Sequence, residues 1–341
     1  MMKNRKLYKT EGLNIDVFLN SLADTIINAL ENTYMLNVSD TGVLKSTELA
    51  NIASDFYIPY TSIYDYYSNL NSEMTLIEVL SLFSKSKEFE NMIVRPEEKY
   101  EVKILLGKLP IPVKESLDDI GCKPNVLLQS YISRLPMDGL SLNADMIFIK
   151  QNSLRLIQAI FQISKMKKLS RVSDLILNVN LYVEKRVWIT ETPLRQLTLE
   201  PNVLKHIERS NIEWDQVLEK DSDDVVDTFY EMAPHLKEYG SQLDEALIKF
   251  PRITDIKASV QTVTKTFYRI NVLFTPDFKW DHKVHFNYIN FFLFLNDFNG
   301  DKVLHEETFK VKKYHLQNEV SLSFEIELLY ANLPPNLFVS F

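Results

Sequence analysis

Between Asp145 and Asp174 lies a stretch that could bind an anion: DMIFIKQNSLRLIQAIFQISKMKKLSRVSD. No Asp or Glu falls between those two residues, while Lys150, Arg155, Lys165, Lys167, Lys168 and Arg171 all do, in a chain whose formal net charge is −8. Met146, Ile149, Ser153, Leu156, Ile160 and Ile163 recur every three or four residues, the spacing of one buried helical stripe. Gln151, Asn152, Arg155, Gln158 and Gln162 fall largely off that stripe. Such a face suits nucleic acid, with Arg and Lys for phosphates and Asn and Gln for base edges. A plainer account exists for Lys165, Lys167, Lys168 and Arg171, because cations near a helix C-terminus are favoured by the helix dipole at about 0.3–1 kcal/mol each. That account does not reach the mid-helix Lys150 and Arg155. Composition alone leaves both accounts open. As a position off the apolar stripe, Arg155 is expected to contribute less than about 1 kcal/mol to stability.

Other chemistry is sparse. Six histidines are scattered along the chain. His282 and His285, in WDHKVHF, stand three apart with no third metal ligand nearby, and read as a solvated loop. A single cysteine, Cys122, excludes an internal disulfide and a cysteine-based zinc site, and fits a reducing compartment. The sequence contains no Walker-type phosphate loop, no GxGxxG and no DxDxDG calcium pattern. No nucleophile motif appears either. Residues 201–252 hold 12 Asp/Glu against 6 Lys/Arg, and the net acidic balance argues against general nucleic-acid binding without excluding a local contact. No apolar run reaches 18 residues, so no membrane-spanning helix is expected. The basic start, MMKNRKLYKTEG, lacks the apolar core of a secretory signal.

The elements that would position these residues read α first and β last. A helix over 15–34 precedes a short hairpin around Ser39-Asp40-Thr41-Gly42 and a second helix capped by Ser46 or Thr47, which suggests the tail of a winged helix. Helical patterns then run over 59–200, broken at Pro96, Pro110, Pro112, Pro124, Pro136 and Pro193. Short helices fill 201–252, with Gly240 as a helix stop. After Pro251 the period becomes two, in runs rich in Val, Ile, Phe and Tyr, with Asn299-Gly300 as a turn signal. Five or six strands without helices suggest an immunoglobulin-like sandwich, and the final LFVSF leaves it short of the usual seven.

The stretches SKEFENMIVRPEEKYEVKILLGKLPIPVKES, KPNVLLQSYISRL and ADMIFIKQNSLRLIQAIFQI closely resemble the Sec63 homology module of Ski-like superfamily-two RNA helicases. VWITETPLRQL and TPDFKWDHKVH extend the resemblance over residues 14–341. LPIPVKES and PLRQ are most similar to the first, active cassette of a large spliceosomal member. The resemblance implies a multidomain α-then-β chain: the end of a winged helix (1–58), a helical bundle with a so-called ratchet helix (59–200), a helix–loop–helix (201–252) and an incomplete immunoglobulin-like, fibronectin-III-like domain (253–341). It also implies that ADMIFIKQNSLRLIQA is the ratchet helix, with Asn152 and Arg155 facing a threaded RNA strand and Gln151 and Lys150 beside them. In the family the glycine at 240 is typically followed by a basic residue; here Ser241 follows it. The implied function is a non-catalytic accessory module that closes an RNA channel during ATP-driven duplex unwinding in nuclear pre-mRNA splicing. ATP and Mg would belong to RecA-like domains that the chain lacks, so the chain itself needs no cofactor and is no enzyme, while its parent protein would be an ATP-dependent RNA helicase. Its implied partners are single-stranded RNA, those RecA-like domains and spliceosomal proteins, with no membrane. The competing expectation is a protein-interaction scaffold without RNA contact, as in silent helicase cassettes or the translocon subunit that gave the module its name.

Overall fold

A computed structural model describes residues 15–297, 303–327 and 338–340. The basic N-terminal run, the Asn299-Gly300 turn signal and the two ends of the final LFVSF lie outside the described residues. The order is helical, then β. Helix α1 (Ile15–Asn32) leads to the hairpin β1 (Leu36–Val38) and β2 (Leu44–Ser46). Next come α2 (Glu48–Asp55), α3 (Tyr60–Asn69), α4 (Leu76–Ser84), α5 (Lys99–Leu106), α6 (Cys122–Ile132), α7 (Leu140–Met166) and α8 (Ser170–Lys185). Thr47, rather than Ser46, caps α2, its hydroxyl accepting from the Ala50 N–H at 3.2 Å. Pro124 does not break a helix as its sequence position suggested. It lies in the first turn of α6, where a missing N–H costs nothing.

Two compact units are formed, of which the first comprises Met1–Tyr131, Leu135–Lys167 and Leu175–Asn180. In it α7, 27 residues long, packs against α2, α3 and α4. The stripe Ile149, Ser153, Leu156, Ile160 and Ile163 is buried as its spacing required, and only Met146 of the expected set is half-buried. Beneath the N-terminal half of α7 lies a buried ion cluster. The Lys123 ammonium sits 2.7 Å from Glu98 Oε2 and 2.5 Å from Asp145 Oδ2, with its side chain 1% exposed. Burial would raise the Glu98 pKa, but the hydrogen bonds from Lys123, Arg95 N–H and Ser141 outweigh it and hold the carboxyl below its usual range.

The second unit comprises Ile132–Arg134, Lys168–Asp174 and Leu181–Phe341. Its helical part holds α9 (Pro201–Glu208), α10 (Trp214–Leu218), α11 (Val225–Met232) and α12 (Gly240–Lys249) around Val203, Ile207, Val217, Phe229 and Leu243. Strands β3 (Ile253–Thr262), β4 (Phe267–Pro276), the one-turn α13 (His282–His285), β5 (Ile289–Asn296), β6 (Val303–Val311), β7 (Val320–Glu327) and β8 (Phe338–Ser340) follow. They form two antiparallel sheets, ordered β3-β4-β7 and β6-β5-β8. On β4, Tyr268, Ile270, Val272 and Phe274 are buried at every second position and share a core with Leu293, Leu295, Phe324 and Ile326.

Arg252, just before β3, and the loop after β4 together close the end of α12. Arg252 Nη1 donates to Leu247 O at 3.0 Å, Lys279 N–H to Ile248 O at 2.8 Å, and the His285 Nε2 edge meets Lys249 O at 2.9 Å. His285 therefore corrects the solvated-loop reading: it is buried, its Nδ1 accepting from the Asp281 N–H, and only His282 is exposed. Among the described residues no cluster of His, Cys, Asp and Glu could hold a metal, and no helix is long and apolar enough to cross a membrane.

Candidate nucleic-acid interface

Helix α7 is held firmly at both ends. Before its first turn, Glu101 Oε1 accepts from the Asp138 and Gly139 N–H groups at 2.8 and 3.2 Å, a carboxylate placed where the helix dipole favours it. At the other end Lys167 Nζ donates to Tyr67 O and Leu70 O at 2.8 and 2.6 Å. Those carbonyls end α3, so Lys167 caps a neighbouring helix, and burial lowers its pKa. Lys165 lies 5.0 Å over the Phe161 ring. For these two cations the sequence-level dipole account is thus joined by specific contacts. Lys168 and Arg171 are exposed.

Along the outward side of α7, Ala144, Ile147, Phe148, Lys150, Gln151 and Gln158 are exposed. Asp145, the one acid in α7, is committed to Lys123. The exposed side of the helix between residues 146 and 166 consequently presents donors and apolar groups without a carboxylate. Ile147 and Phe148, 50% and 44% exposed, were not singled out by the sequence pattern. Their spacing to Gln151 could have revealed them as members of the same face.

The four expected site residues divide. Gln151 is exposed, and Lys150 reaches over the Tyr131 ring, 5.5 Å from its centroid. Asn152 and Arg155 are brought together: Arg155 Nη2 donates to Asn152 Oδ1 at 2.7 Å, while Asn152 Nδ2 donates to Phe148 O at 2.9 Å. Arg155 also reaches away from the outward face. Its Nη1 donates to Phe56 O at 2.9 Å and Tyr57 O at 2.5 Å, and Glu88 Oε1 lies 3.9 Å from Nη2. Its side chain is 30% exposed. Three of its five N–H groups are thereby taken, and the other two have no hydrogen-bond acceptor among the described residues. The expectation that Arg155 contributes little to stability does not survive this geometry.

The segment that Arg155 grips is the end of α2. Ile58 N–H bonds to Ala53 O and Tyr57 N–H to Ser54 O, the double closure of a Schellman motif, with Tyr57 at φ +51°. Glycine is the usual residue there, since the left-handed conformation costs a residue with a Cβ about 1 kcal/mol. Tyr34 closes α1 in the same manner, at φ +59°, and its ring packs on Tyr64 and Tyr67. Tyr57 is 87% exposed, and its ring has no ring partner among the described residues.

A cleft of about 560 Å³ elsewhere in the first unit is lined by Asp65, Glu73, Glu78, Lys85 and Lys114, among others. Its acids make it a poorer phosphate site than the face of α7.

Comparison with known proteins bears on the whole chain. The family described as the Sec63 Brl domain matches residues 46–341. The chain is 34% identical to the DExH-box ATP-dependent RNA helicase DExH12 of Arabidopsis thaliana over 99% of its length. It is 36% identical to the activating signal cointegrator 1 complex subunit 3-like protein of Dictyostelium discoideum over 87%, and 33% identical to the human U5 small nuclear ribonucleoprotein 200 kDa helicase over 88%. It spans only 16%, 13% and 14% of those three proteins.

Proposed function

Because the chain belongs to the Sec63 Brl domain family, we propose that it is a non-catalytic accessory module of a spliceosomal-type RNA helicase. In this reading α7 is the ratchet helix, lying beside single-stranded RNA that has left the duplex. Lys150, Gln151, Asn152 and the free edge of Arg155 meet the strand. ATP and its Mg ion would be held by RecA-like domains outside this chain, and the module would work in the nucleus beside other spliceosomal proteins. The domain scheme of the sequence stands as part of this proposal: the end of a winged helix to residue 58, a helical bundle to 200, a helix–loop–helix to 252 and an immunoglobulin-like sandwich beyond.

The observation that carries the reading is the exposed, acid-free side of α7 in an acidic chain. Carboxylates there would repel phosphate, and nothing in helix stability requires their absence. A scaffold that binds only protein has no use for such a face. The names of the relatives add support, since two of the three quoted are helicases.

The test is unwinding by a complete cassette, with RecA-like domains joined to this chain. Asn152→Leu and Lys150→Ala should slow duplex unwinding while leaving ATP binding unchanged. Wild-type unwinding by both variants would hand the function to the scaffold reading.

A further inference from the structure

The α2 terminus presents an aromatic ring to solvent at the place where Arg155 leaves the outward face of α7. We propose that Tyr57 is an additional RNA-contacting residue, whose ring stacks on a base of the strand that α7 faces. The inference rests on the function proposed above and names a residue on a different helix.

Three observations converge. First, position: the Tyr57 carbonyl accepts from Arg155 Nη1 at 2.5 Å, so its backbone is fixed beside α7 at the level of Arg155. Gln151 and Gln158, one turn before and one after, border the same level. Second, conformation: the residue closes a Schellman motif at φ +51°, where glycine is the less strained choice. Third, the ring is unused by the fold. Tyr34 occupies the equivalent position of α1, but its ring is engaged with Tyr64 and Tyr67. Tyr57 is 87% exposed, so its side chain contributes little to packing.

The chemistry selects a base over a phosphate. Tyr57 carries no charge, and the exposed Asp55 two residues earlier discourages a phosphate at this spot. An aromatic face accepts any base by stacking, without sequence preference, as suits a strand that moves through. Arg155 then has two functions: it holds the Tyr57 carbonyl, and it offers its remaining N–H groups to the neighbouring backbone. The guanidinium would set the ring's distance from the helix by gripping the carbonyl of the same residue.

The experiment measures binding of the full chain to single-stranded oligouridylate at low salt by fluorescence anisotropy, beside its thermal unfolding. Tyr57→Phe should bind like wild type. Tyr57→Gly should bind about 5- to 150-fold more weakly, the range for losing one stacked base. The same Tyr57→Gly variant should unfold at or above the wild-type temperature, because glycine relieves the left-handed conformation. A purely structural tyrosine would show the reverse, with lost stability and retained binding. Wild-type affinity in Tyr57→Gly, together with weakened binding in Asn152→Leu, overturns the role of Tyr57 and leaves the α7 interface standing. No binding of oligouridylate by the wild-type chain overturns both.

Discussion

Replacing Arg155 by alanine tests the packing of α7 against α2 and its interface at once. The substitution removes donors to Phe56 O, Tyr57 O and Asn152 Oδ1 and takes a positive charge from beside Glu88. A hydrogen bond involving a charged group contributes about 1.5–3 kcal/mol when buried. Here water reaches the 30%-exposed side chain, and the freed carbonyls regain solvent, so the three bonds do not add. Glu88 loses more, because its side chain is 10% exposed and Oε1 accepts no hydrogen bond. A net loss of about 2 kcal/mol follows, near the cost of one unsatisfied buried polar group. For a unit of this size that lowers the unfolding temperature by roughly 4–8 °C. Arg155→Lys keeps the charge but not the planar fork, and should fall between the two. Urea titration followed by far-ultraviolet circular dichroism measures the loss, since the three tryptophans, Trp188, Trp214 and Trp280, all lie in the second unit. Stability within about 0.5 kcal/mol of wild type would mean that the guanidinium is not bonded to α2 in solution, and the argument for a fixed Tyr57 would fail with it.

Acid should weaken the second unit through His285. Burial depresses its pKa below 6.5, against the smaller raising effects of Lys249 O and Asp281. The unfolded chain then takes up its proton first, so this contribution is complete above about pH 6.5 and declines as pH falls below it. Thermal melts from pH 7.5 to 5.5 should show the decline shrink in His285→Gln, and an undiminished decline would reject the assignment. Lys123→Ala should cost about 3–5 kcal/mol by leaving Glu98 and Asp145 facing each other without a cation; a near-neutral result in urea would show that water already enters the cluster. Gly121→Ala places a Cβ 3.0 Å from Ser84 Oγ and 3.1 Å from Lys85 Cγ, at φ +96°. A loss of about 1–3 kcal/mol is expected in the same titration, and wild-type stability would show that the loop shifts freely.

What the sequence revealed is what repeats locally. The stripe through Ile149, Leu156, Ile160 and Ile163 has the period of a buried helix face, and the alternation Tyr268, Ile270, Val272, Phe274 has that of a strand. Thr47 and the Ser39–Gly42 turn carry their signal within four residues. Contacts between distant segments left no such trace. Arg155 reads as an outward cation because its acceptors, Phe56 O and Tyr57 O, are backbone atoms almost a hundred residues upstream. Nothing in the local sequence marks Lys123 as buried, because Glu98 and Asp145 come from distant parts of the chain. His285 was assigned to a loop because its partner, Lys249 O, is a carbonyl that any residue could supply. Of the four expected interface residues, Gln151 and Lys150 are exposed, while Asn152 and Arg155 are also tied to each other.

The central claim is that the outward side of α7 lacks acids because a phosphate backbone passes it. Gln151→Glu combined with Gln158→Glu puts two carboxylates on that side, at exposed positions off the buried stripe, so the fold should be retained. At separations near 4–8 Å, each added charge should cost on the order of 0.5–1 kcal/mol. Binding of single-stranded oligouridylate at low salt should therefore weaken about tenfold, with the difference shrinking as salt rises. Equal affinity of the double variant and the wild type across that salt range would contradict the account.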